Sequence, residues 1–367
     1  MAVITSACPD SQCGEEEYNI GDGDDEVATG PFFQSLGMVP RHIKVHVDNY
    51  QTAADPLTYI GDKNYNTLGS ADIIYFNGGD QSRHARCWLN DNGTPNPLFA
   101  LIRRRVLANE VVVVGVSAGT AIQSAVSYGG GSSFGILYFS NLVGLAPNSI
   151  ADGHDLDDVR NGTEGLQYSE NGAKIQGFGF VDTFQIDTHF DKRGRLGRMV
   201  PVLNELRMAV GVGIDEEAVL YYENEIGTVY GKNGVFVADI STAYKVPGKY
   251  FQMKAVKVHY LTQGDQFLFR YKSVKTNKTS ITPTQNGFSD SSNILSSYEC
   301  TRLIQRLVDQ KGVFNEGRTK TPSGEDYPAN TPEFSLSFYK AADTKGYRVN
   351  NLTTAENVLL DISAETR

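Results

Sequence analysis

One serine of the chain has the spacing that is typical of a catalytic nucleophile. Gly115-Val116-Ser117-Ala118-Gly119 follows four consecutive valines and precedes a helix-compatible segment, residues 120–127. A serine on a tight strand-to-helix turn has a strained backbone, so the flanking residues must be small. The helix N-terminus also offers backbone N–H groups to a developing oxyanion. The motif predicts that Ser117 is a nucleophile, although a glycine-rich turn with an incidental serine has the same pattern.

A nucleophilic serine needs a base, and His189 is the best candidate among the six histidines. It follows the apolar run 181–186 and precedes an arginine-rich stretch. Open α/β sheets place their active sites at the C-terminal ends of strands, where this histidine falls. The alternative is a structural histidine whose ring nitrogens are hydrogen-bonded within a turn.

The third member of a triad should be a carboxylate that orients the imidazole. The apolar segment 211–214 predicts a strand that ends in Asp215, Glu216 and Glu217. Glu216 is the best candidate, because alternation along the strand directs its two neighbours to the opposite side. The order serine, histidine, glutamate differs from that of the α/β-hydrolases, which argues against that superfamily.

Alternating strands and helices must position these residues. The valine run 111–114 is apolar on both faces, which predicts a central parallel strand covered by helices on both sides. The β-α-β-α order predicts a three-layer, doubly wound, mostly parallel sheet. From about residue 217 the pattern changes to short antiparallel strands. Further predicted elements are strands at 2–7, 43–47 and 71–76, helices at 32–36, 97–109 and 296–309, and a strand pair around 334–349.

Four motifs occur in a characteristic order along the chain. They are Asn77-Gly78-Gly79-Asp80-Gln81, the segment 115–119, Asp187-Thr188-His189-Phe190 with the arginine-rich segment 193–198, and the segment 211–216. Together they resemble the cyanophycinase-type serine peptidases, a family that also includes aspartyl dipeptidase. The resemblance covers residues 1–270 and leaves 271–367 as a β-rich C-terminal extension of unknown role.

The resemblance implies a fold like that of the class I glutamine amidotransferases and a triad of Ser117, His189 and Glu216. It implies an oxyanion hole from the backbone N–H groups near Gly79 and Ala118. It also implies a substrate pocket, formed by Gln81, Asp187, Arg193, Arg195 and Arg198.

The implied reaction is exopeptidase hydrolysis of cyanophycin, a polyaspartate with arginine on each side-chain carboxyl, into β-aspartyl-arginine through an acyl-enzyme. The three arginines would bind the chain end, because guanidinium groups bind carboxylates in bidentate fashion. Asp187 or the acidic loop Asp152–Asp158 would face the substrate's arginine. The resemblance implies neither a metal nor an organic cofactor. It also implies that the protein forms a homodimer. The alternative for the arginines is a salt-bridged or solvated surface.

Thr188 departs from the family pattern, which has glutamine at this position. A related serine dipeptidase that acts on other aspartyl or acidic peptides is therefore a second interpretation. A non-catalytic binding protein on the same scaffold is a third.

Bulk composition excludes several classes of function. The formal net charge of −10 argues against a nucleic-acid partner, which needs a basic face. No apolar run approaches the roughly 20 residues that cross a bilayer, and the absence of a CxxC pair argues against a zinc site. The chain opens on a strand-like segment without the family's first strand, so we expect that an upstream segment is missing. Such a segment decides between a cytoplasmic and a secreted protein.

Overall fold

The computed structural model describes residues 1–21, 27–141, 143–144, 173–322, 327–328 and 330–365. The chain divides into two compact units. The first comprises, among these residues, 1–130, 143–144 and 173–182, and the second comprises 131–141 and 183–365. The boundary at residue 270 that the sequence suggested stays a prediction.

A four-stranded parallel sheet organises the first unit, in the order β2-β1-β3-β4. Because the direction of strand succession reverses after β2, this order is typical of a doubly wound sheet. The prediction of an α/β chain with a parallel sheet is confirmed. The strands are β1 (Ala2–Ile4), β2 (Arg41–Ile43), β3 (Ile73–Phe76) and β4 (Val112–Gly115).

Seven helices and a small second sheet accompany this parallel sheet within the described part of the first unit. The helices are α1 (Ser11–Asn19), α2 (Thr29–Ser35), α3 (Tyr50–Ala53), α4 (Tyr59–Ser70), α5 (Gln81–Trp88), α6 (Pro97–Leu107) and α7 (Ala118–Ala121). The second sheet has the order β5-β7-β6 and consists of β5 (Val126–Gly129), β6 (Val143–Gly144) and β7 (Ala173–Gln176). Capping side chains fix the start of two helices: Asp80 accepts a hydrogen bond from the Ser82 N–H, and Asn96 accepts one from the Phe99 N–H.

Large aromatic side chains form the core of the first unit. Phe76, Trp88, Phe99 and Phe178 are each no more than 1% exposed. The ring centroids of Phe99 and Phe178 lie 4.4 Å apart, and those of Phe76 and Phe178 lie 5.2 Å apart. Because Phe76 is the last residue of β3, this packing fixes the strand end from which the loop Asn77–Gly79 begins.

The valine strand differs from its prediction. β4 is the terminal strand of the four-stranded sheet, and Val112 and Val114 are 52% and 37% exposed. The prediction of a central strand buried on both faces is therefore wrong for this sheet. A run of β-branched residues indicates that a segment favours the extended conformation. It does not indicate whether the strand pairs with one or with two other strands of the sheet.

The second unit contains a sheet of ten strands, of which eight lie in the order β18-β19-β20-β21-β14-β12-β9-β8. The β8–β9 pair is parallel, and the pairs from β9 to β19 along this order are antiparallel. A separate antiparallel sheet has the order β10-β11-β15-β16. The change to antiparallel pairing that the sequence predicted from about residue 217 is confirmed.

The elements of the second unit have the following bounds. The helices are α8 (Ser133–Phe139), α9 (Leu196–Leu206) and α10 (Glu299–Asp309), with a 3-10 turn at Asp191–Arg193. The strands are β8 (Gln185–Thr188), β9 (Val210–Ile214), β10 (Ala218–Glu223), β11 (Ile226–Gly231), β12 (Val235–Asp239), β13 (Tyr244–Lys245), β14 (Met253–Leu261), β15 (Gln266–Leu268), β16 (Ser273–Lys275), β17 (Thr279–Ser280), β18 (Asp290–Ser291), β19 (Phe314–Arg318), β20 (Glu333–Val349) and β21 (Leu352–Glu365).

The strand pair that was predicted around 334–349 is a longer hairpin, which extends to Glu365. β20 spans that whole range as a single strand and pairs with β21, which in turn pairs with β14. The C-terminal residues therefore extend the same sheet that contains β8 and β9. Among the helices that the structure describes, none combines the length and the apolar character needed to cross a bilayer.

Candidate active site

Ser117 lies in a sharp turn between β4 and α7, with φ 49° and ψ −113°. Positive φ is rare for a residue with a side chain, and such strain is concentrated at functional sites. A Cβ atom on Gly119 would lie 2.2 Å from the Phe76 carbonyl oxygen, and one on Gly115 would lie 2.2 Å from the Gly119 carbonyl oxygen. Both positions of the motif therefore require glycine, as its sequence pattern predicts.

The loop Asn77–Gly79 lies against this turn. The Val116 N–H donates to the Phe76 carbonyl at 3.1 Å, and the Gly119 N–H donates to the Asn77 carbonyl at 3.0 Å. A Cβ on Gly78 would be 3.5 Å from the Ser117 Cβ. Gly79 itself has φ 129° and is crowded by Ala7, so only glycine is suited to this position.

Two backbone N–H groups beside Ser117 are available to a ligand. Within the described residues, neither the Gly79 N–H nor the Ala118 N–H donates a hydrogen bond to the protein. Unsatisfied donors at a helix start are the usual components of an oxyanion hole. Gly79 and Ala118 are the two residues that the sequence assigned to this role, which stays a prediction.

A buried polar chain supports the same loop. His84 Nε2 lies 3.1 Å from the Asn77 carbonyl oxygen, and His84 Nδ1 lies 2.7 Å from the Ser6 hydroxyl. Trp88 Nε1 donates to Ser6 Oγ at 2.8 Å. Burial lowers the pKa of His84 to about 4, so the ring is neutral at pH 7 and donates through one nitrogen only. Sequence reasoning left His84 without a role, because nothing local connects it with Ser6.

The predicted substrate residue Gln81 begins α5 in the first unit. Its Nε2 donates to the Tyr128 carbonyl at 2.6 Å. Its side chain is half-buried, and its amide oxygen accepts no hydrogen bond among the described residues. The substrate contact stays a prediction.

His189 and Glu216 form a hydrogen-bonded pair in the second unit. His189 directly follows β8 and has φ 45°, while Glu216 lies two residues after β9. His189 Nδ1 is 3.0 Å from Glu216 Oε1. Because a carboxylate only accepts, Nδ1 carries the proton in this contact. Two parallel neighbouring strands therefore bring His189 and Glu216 together at their C-terminal ends, and their catalytic roles stay a prediction.

The surroundings of His189 favour its neutral form. Burial lowers the pKa of His189, the positive charges of Arg193 and Arg195 lower it further, and the Glu216 hydrogen bond acts in the opposite sense. A neutral imidazole is what a general base requires. The two acids beside Glu216 differ in environment, since Asp215 is buried and the exposed Glu217 lies 2.9 Å from Lys232 Nζ.

Asp187, Arg195 and Arg198 form a network with one another. Arg198 donates to both oxygens of Asp187 at 2.7 Å, and Arg195 donates to one of them at 3.0 Å. Burial raises the pKa of Asp187, but Arg198 and Arg195 lower it more, so the carboxylate stays ionised. The structure thus brings together three of the five predicted substrate residues as an internal ion-pair network, and their contact with a substrate stays a prediction.

Arg193 differs from the other two arginines of its segment. Its side chain is exposed, and the guanidinium group makes no hydrogen bond or ion pair within the described residues. It is therefore the guanidinium of this segment that is accessible to a ligand.

The acidic loop Asp152–Asp158, which the sequence proposed as a partner of a cationic substrate, lies outside the described residues. Over the described residues, no cluster of three or more His, Cys, Asp or Glu could bind a metal ion.

The chain is similar to known peptidases. No family model matches the chain. A cyanophycinase of Geminocystis herdmanii is 28% identical over 214 residues, which are 56% of this chain and 66% of that protein. A cyanophycinase of Trichormus variabilis is 24% identical over 216 residues, 57% of this chain and 60% of that protein. These relatives confirm the similarity to cyanophycinases that the four motifs indicated.

The matched region spans less than two thirds of the length of these curated relatives. Among solved structures, a peptidase from an acI-B1 actinobacterium is similar with a TM-score of 0.44 and 17% identity, covering 72% of this chain and 82% of that one.

Proposed function

We propose that the chain is a serine-type hydrolase of peptide bonds in which Ser117 is the nucleophile. The observation that carries the proposal is the backbone of Ser117, a strained strand-to-helix turn between two positions that require glycine. The His189–Glu216 hydrogen bond of 3.0 Å supports it, because a nucleophilic serine needs a base in a defined tautomer.

The reaction follows from the roles of these groups. Ser117 Oγ attacks the carbonyl carbon, His189 Nε2 takes its proton, and the Gly79 and Ala118 N–H groups donate to the oxyanion. His189 then protonates the leaving amine, and an acyl-enzyme remains. A water molecule, deprotonated by His189, hydrolyses this ester and regenerates Ser117. Glu216 orients the ring and stabilises the imidazolium that forms in each half-reaction.

The substrate we propose first is cyanophycin, with β-aspartyl-arginine as the product. The support is the similarity to curated proteins of that name. In this proposal the exposed Arg193 binds a carboxylate of the substrate, since a guanidinium and a carboxylate form paired hydrogen bonds.

A second candidate is a related peptidase that cleaves other acidic peptides. The observation in its favour is the Asp187 network, because both carboxylate oxygens already accept hydrogen bonds from arginines of the chain. An ion-paired Asp187 has little capacity left for the guanidinium of a cyanophycin repeat. Thr188, which replaces the family's glutamine, changes the same segment.

The test compares the wild type with Ser117→Ala on cyanophycin and on a panel of α- and β-linked aspartyl dipeptides. Product release is followed by chromatography, and a fluorophosphonate probe reports the nucleophile independently of any substrate. We expect hydrolysis and probe labelling by the wild type, and neither by Ser117→Ala.

Hydrolysis of the dipeptides without hydrolysis of cyanophycin would favour the second candidate. Equal hydrolysis by Ser117→Ala would refute the serine mechanism. A wild type without hydrolysis or labelling would favour a binding protein on this scaffold.

A further inference from the structure

The segment that leads into α10 contacts the loop after His189. We name residues 295–301 the α10 N-terminal segment. The Tyr298 N–H donates to the Asp191 carbonyl at 2.9 Å, and the Thr301 N–H donates to Asp191 Oδ2 at 2.6 Å. The Ser297 hydroxyl donates to the Lys192 carbonyl at 2.7 Å. Three hydrogen bonds therefore join this segment to Asp191 and Lys192, which lie two and three positions after His189.

The approach of the two segments is close enough to require glycine. A Cβ on Gly194 would lie 2.2 Å from the Leu295 carbonyl oxygen, and Gly194 has φ 57°. Both observations exclude a larger residue at this position. The contact is thus part of the local backbone geometry and does not depend on side chains alone.

Asp191 supplies the N-terminal cap that α10 lacks. Tyr298 occupies the cap position with φ 61° and makes no capping hydrogen bond with its side chain. The Asp191 carboxylate accepts from the Thr301 N–H in the first helical turn instead. The positive end of the helix dipole also favours a carboxylate there. The pKa of Asp191 is raised to about 6, because burial outweighs the hydrogen bond from the Thr301 N–H, which lowers it. The hydrogen bond at the start of α10 therefore offsets part of the free-energy cost of burying this carboxylate.

Asp215 connects Asp191 with Glu216. The Asp191 N–H donates to Asp215 Oδ2 at 2.9 Å, and the Glu216 N–H donates to Asp215 Oδ1 at 2.9 Å. The Lys192 N–H also donates to Asp215 Oδ1, at 3.3 Å. One carboxylate thus fixes the backbone of the His189 loop relative to the backbone of Glu216.

A second connection runs through Asn233, which lies between β11 and β12. Its Nδ2 donates to the Glu216 carbonyl at 2.8 Å and to the Tyr298 hydroxyl at 3.3 Å. The α10 N-terminal segment therefore reaches the His189–Glu216 pair by two routes, one through Asp191 and Asp215 and one through Asn233.

We infer that the α10 N-terminal segment positions His189 and Glu216, with Asp191 and Asn233 as the positioning residues. Sequence analysis assigned no role to the C-terminal region. If the inference is correct, this region contributes to the geometry of the candidate site. The kinetic consequences rest on the proposed function, while the geometry of the His189–Glu216 hydrogen bond does not.

The test compares Asp191→Ala with Asp191→Asn in the full chain. Alanine removes the acceptor of the Thr301 N–H. Asparagine keeps it, and its NH₂ group replaces Oδ1, which has no hydrogen-bond partner in the described structure. The matched control is Asn315→Ala, because the buried Asn315 donates to the Leu303 carbonyl of α10 at 2.8 Å without touching the His189 loop.

Proton NMR of the His189 Nδ1–H is the first readout, since it needs no substrate. We expect the wild-type signal in Asp191→Asn and in Asn315→Ala, and a shifted or exchange-broadened signal in Asp191→Ala. Steady-state kinetics is the second readout. Because a misplacement of about 1 Å costs on the order of 100-fold, we expect a loss of kcat between about 10- and 100-fold in Asp191→Ala, with KM changed less than about threefold.

The outcomes separate this inference from the proposed function. A wild type without hydrolysis, together with a changed His189 signal in Asp191→Ala, would refute the function and support the positioning. A wild-type signal and kcat in Asp191→Ala would overturn the positioning, whatever the thermal stability of the variant. If Asp191→Ala does not fold, Asn233→Ala replaces it, with the same expected change in the His189 signal and the same contradicting result.

Discussion

The two strand ends that carry the candidate catalytic residues are built in different ways. The Ser117 turn is fixed by backbone groups, since main-chain hydrogen bonds and two glycines determine its shape. Charged side chains contribute to fixing the His189 loop, since the carboxylates of Asp187 and Asp215 both accept hydrogen bonds around it. Both residues nevertheless have positive φ. The same backbone strain can thus be maintained by steric or by electrostatic means, and the two should respond to different perturbations.

The largest effect on stability is expected from removal of Asp187. Asp187→Ala leaves Arg195 and the buried Arg198 without their carboxylate, and breaking a buried ion pair costs about 3–5 kcal/mol. The free energy of unfolding is measured by urea denaturation with far-UV circular dichroism. Asp182→Ala, at an exposed aspartate, is the control and should be nearly neutral. A cost for Asp187→Ala as small as that of the control would show that charge does not fix this loop.

The steric counterpart is Gly119→Ala in the Ser117 turn. The added methyl would lie 2.2 Å from the Phe76 carbonyl, and overpacking of this kind costs about 1–3 kcal/mol. Trp88 is the single tryptophan and is buried in the same unit, so its fluorescence reports unfolding there. Gly69→Ala is the control, because a Cβ at that helical position has nothing within 4 Å. Equal stability of the two variants would mean that the turn has room for a side chain at residue 119.

The pH dependence of catalysis should report the His189 environment. Because burial lowers the pKa of His189, the neutral base persists below the ordinary histidine range. The acid limb of kcat/KM should then have its midpoint below pH ~6.5. In Glu216→Gln the hydrogen bond that raises this pKa is weakened, so any residual activity should show a limb at still lower pH. A limb that moved to higher pH in this variant would contradict the assignment of Glu216.

The smallest effect on stability is expected from Arg193→Ala. Its exposed side chain makes no hydrogen bond or ion pair within the described residues, so the free energy of unfolding should change by less than about 0.5 kcal/mol. If Arg193 binds a substrate carboxylate, KM should rise about fivefold, as expected for ~1 kcal/mol from an exposed ion pair. Arg207→Ala, which removes an arginine at the other end of α9, is the control for net charge. An unchanged KM would show that Arg193 does not bind the substrate.

Sequence reasoning found the parts of the candidate site whose signals are local. The small residues around Ser117 are a steric requirement that any sequence with this turn must meet. Glu216 was selected over Asp215 by strand alternation, and it is Glu216 that contacts His189. Both inferences used a few consecutive residues, which the local backbone relates directly to geometry.

The parts that were missed depend on contacts between distant segments. The role proposed for Asp191 requires α10, which begins more than 100 residues later. The same holds for β4, whose valines predicted a strand correctly but not its place at the edge of its sheet. Pairing partners at such separations are a property of the whole fold.

The place of β21 in its sheet also has a consequence for biosynthesis. This strand lies between β20 and β14, so the sheet that includes β8 and β9 is complete only after residue 365 has been translated. Roughly 150 residues separate the end of β9 from that point, and a ribosome needs on the order of 10 s to add them. During this interval the edge of β14 has no β21 to pair with. Nascent chains of this protein should therefore depend on chaperones until translation is nearly finished.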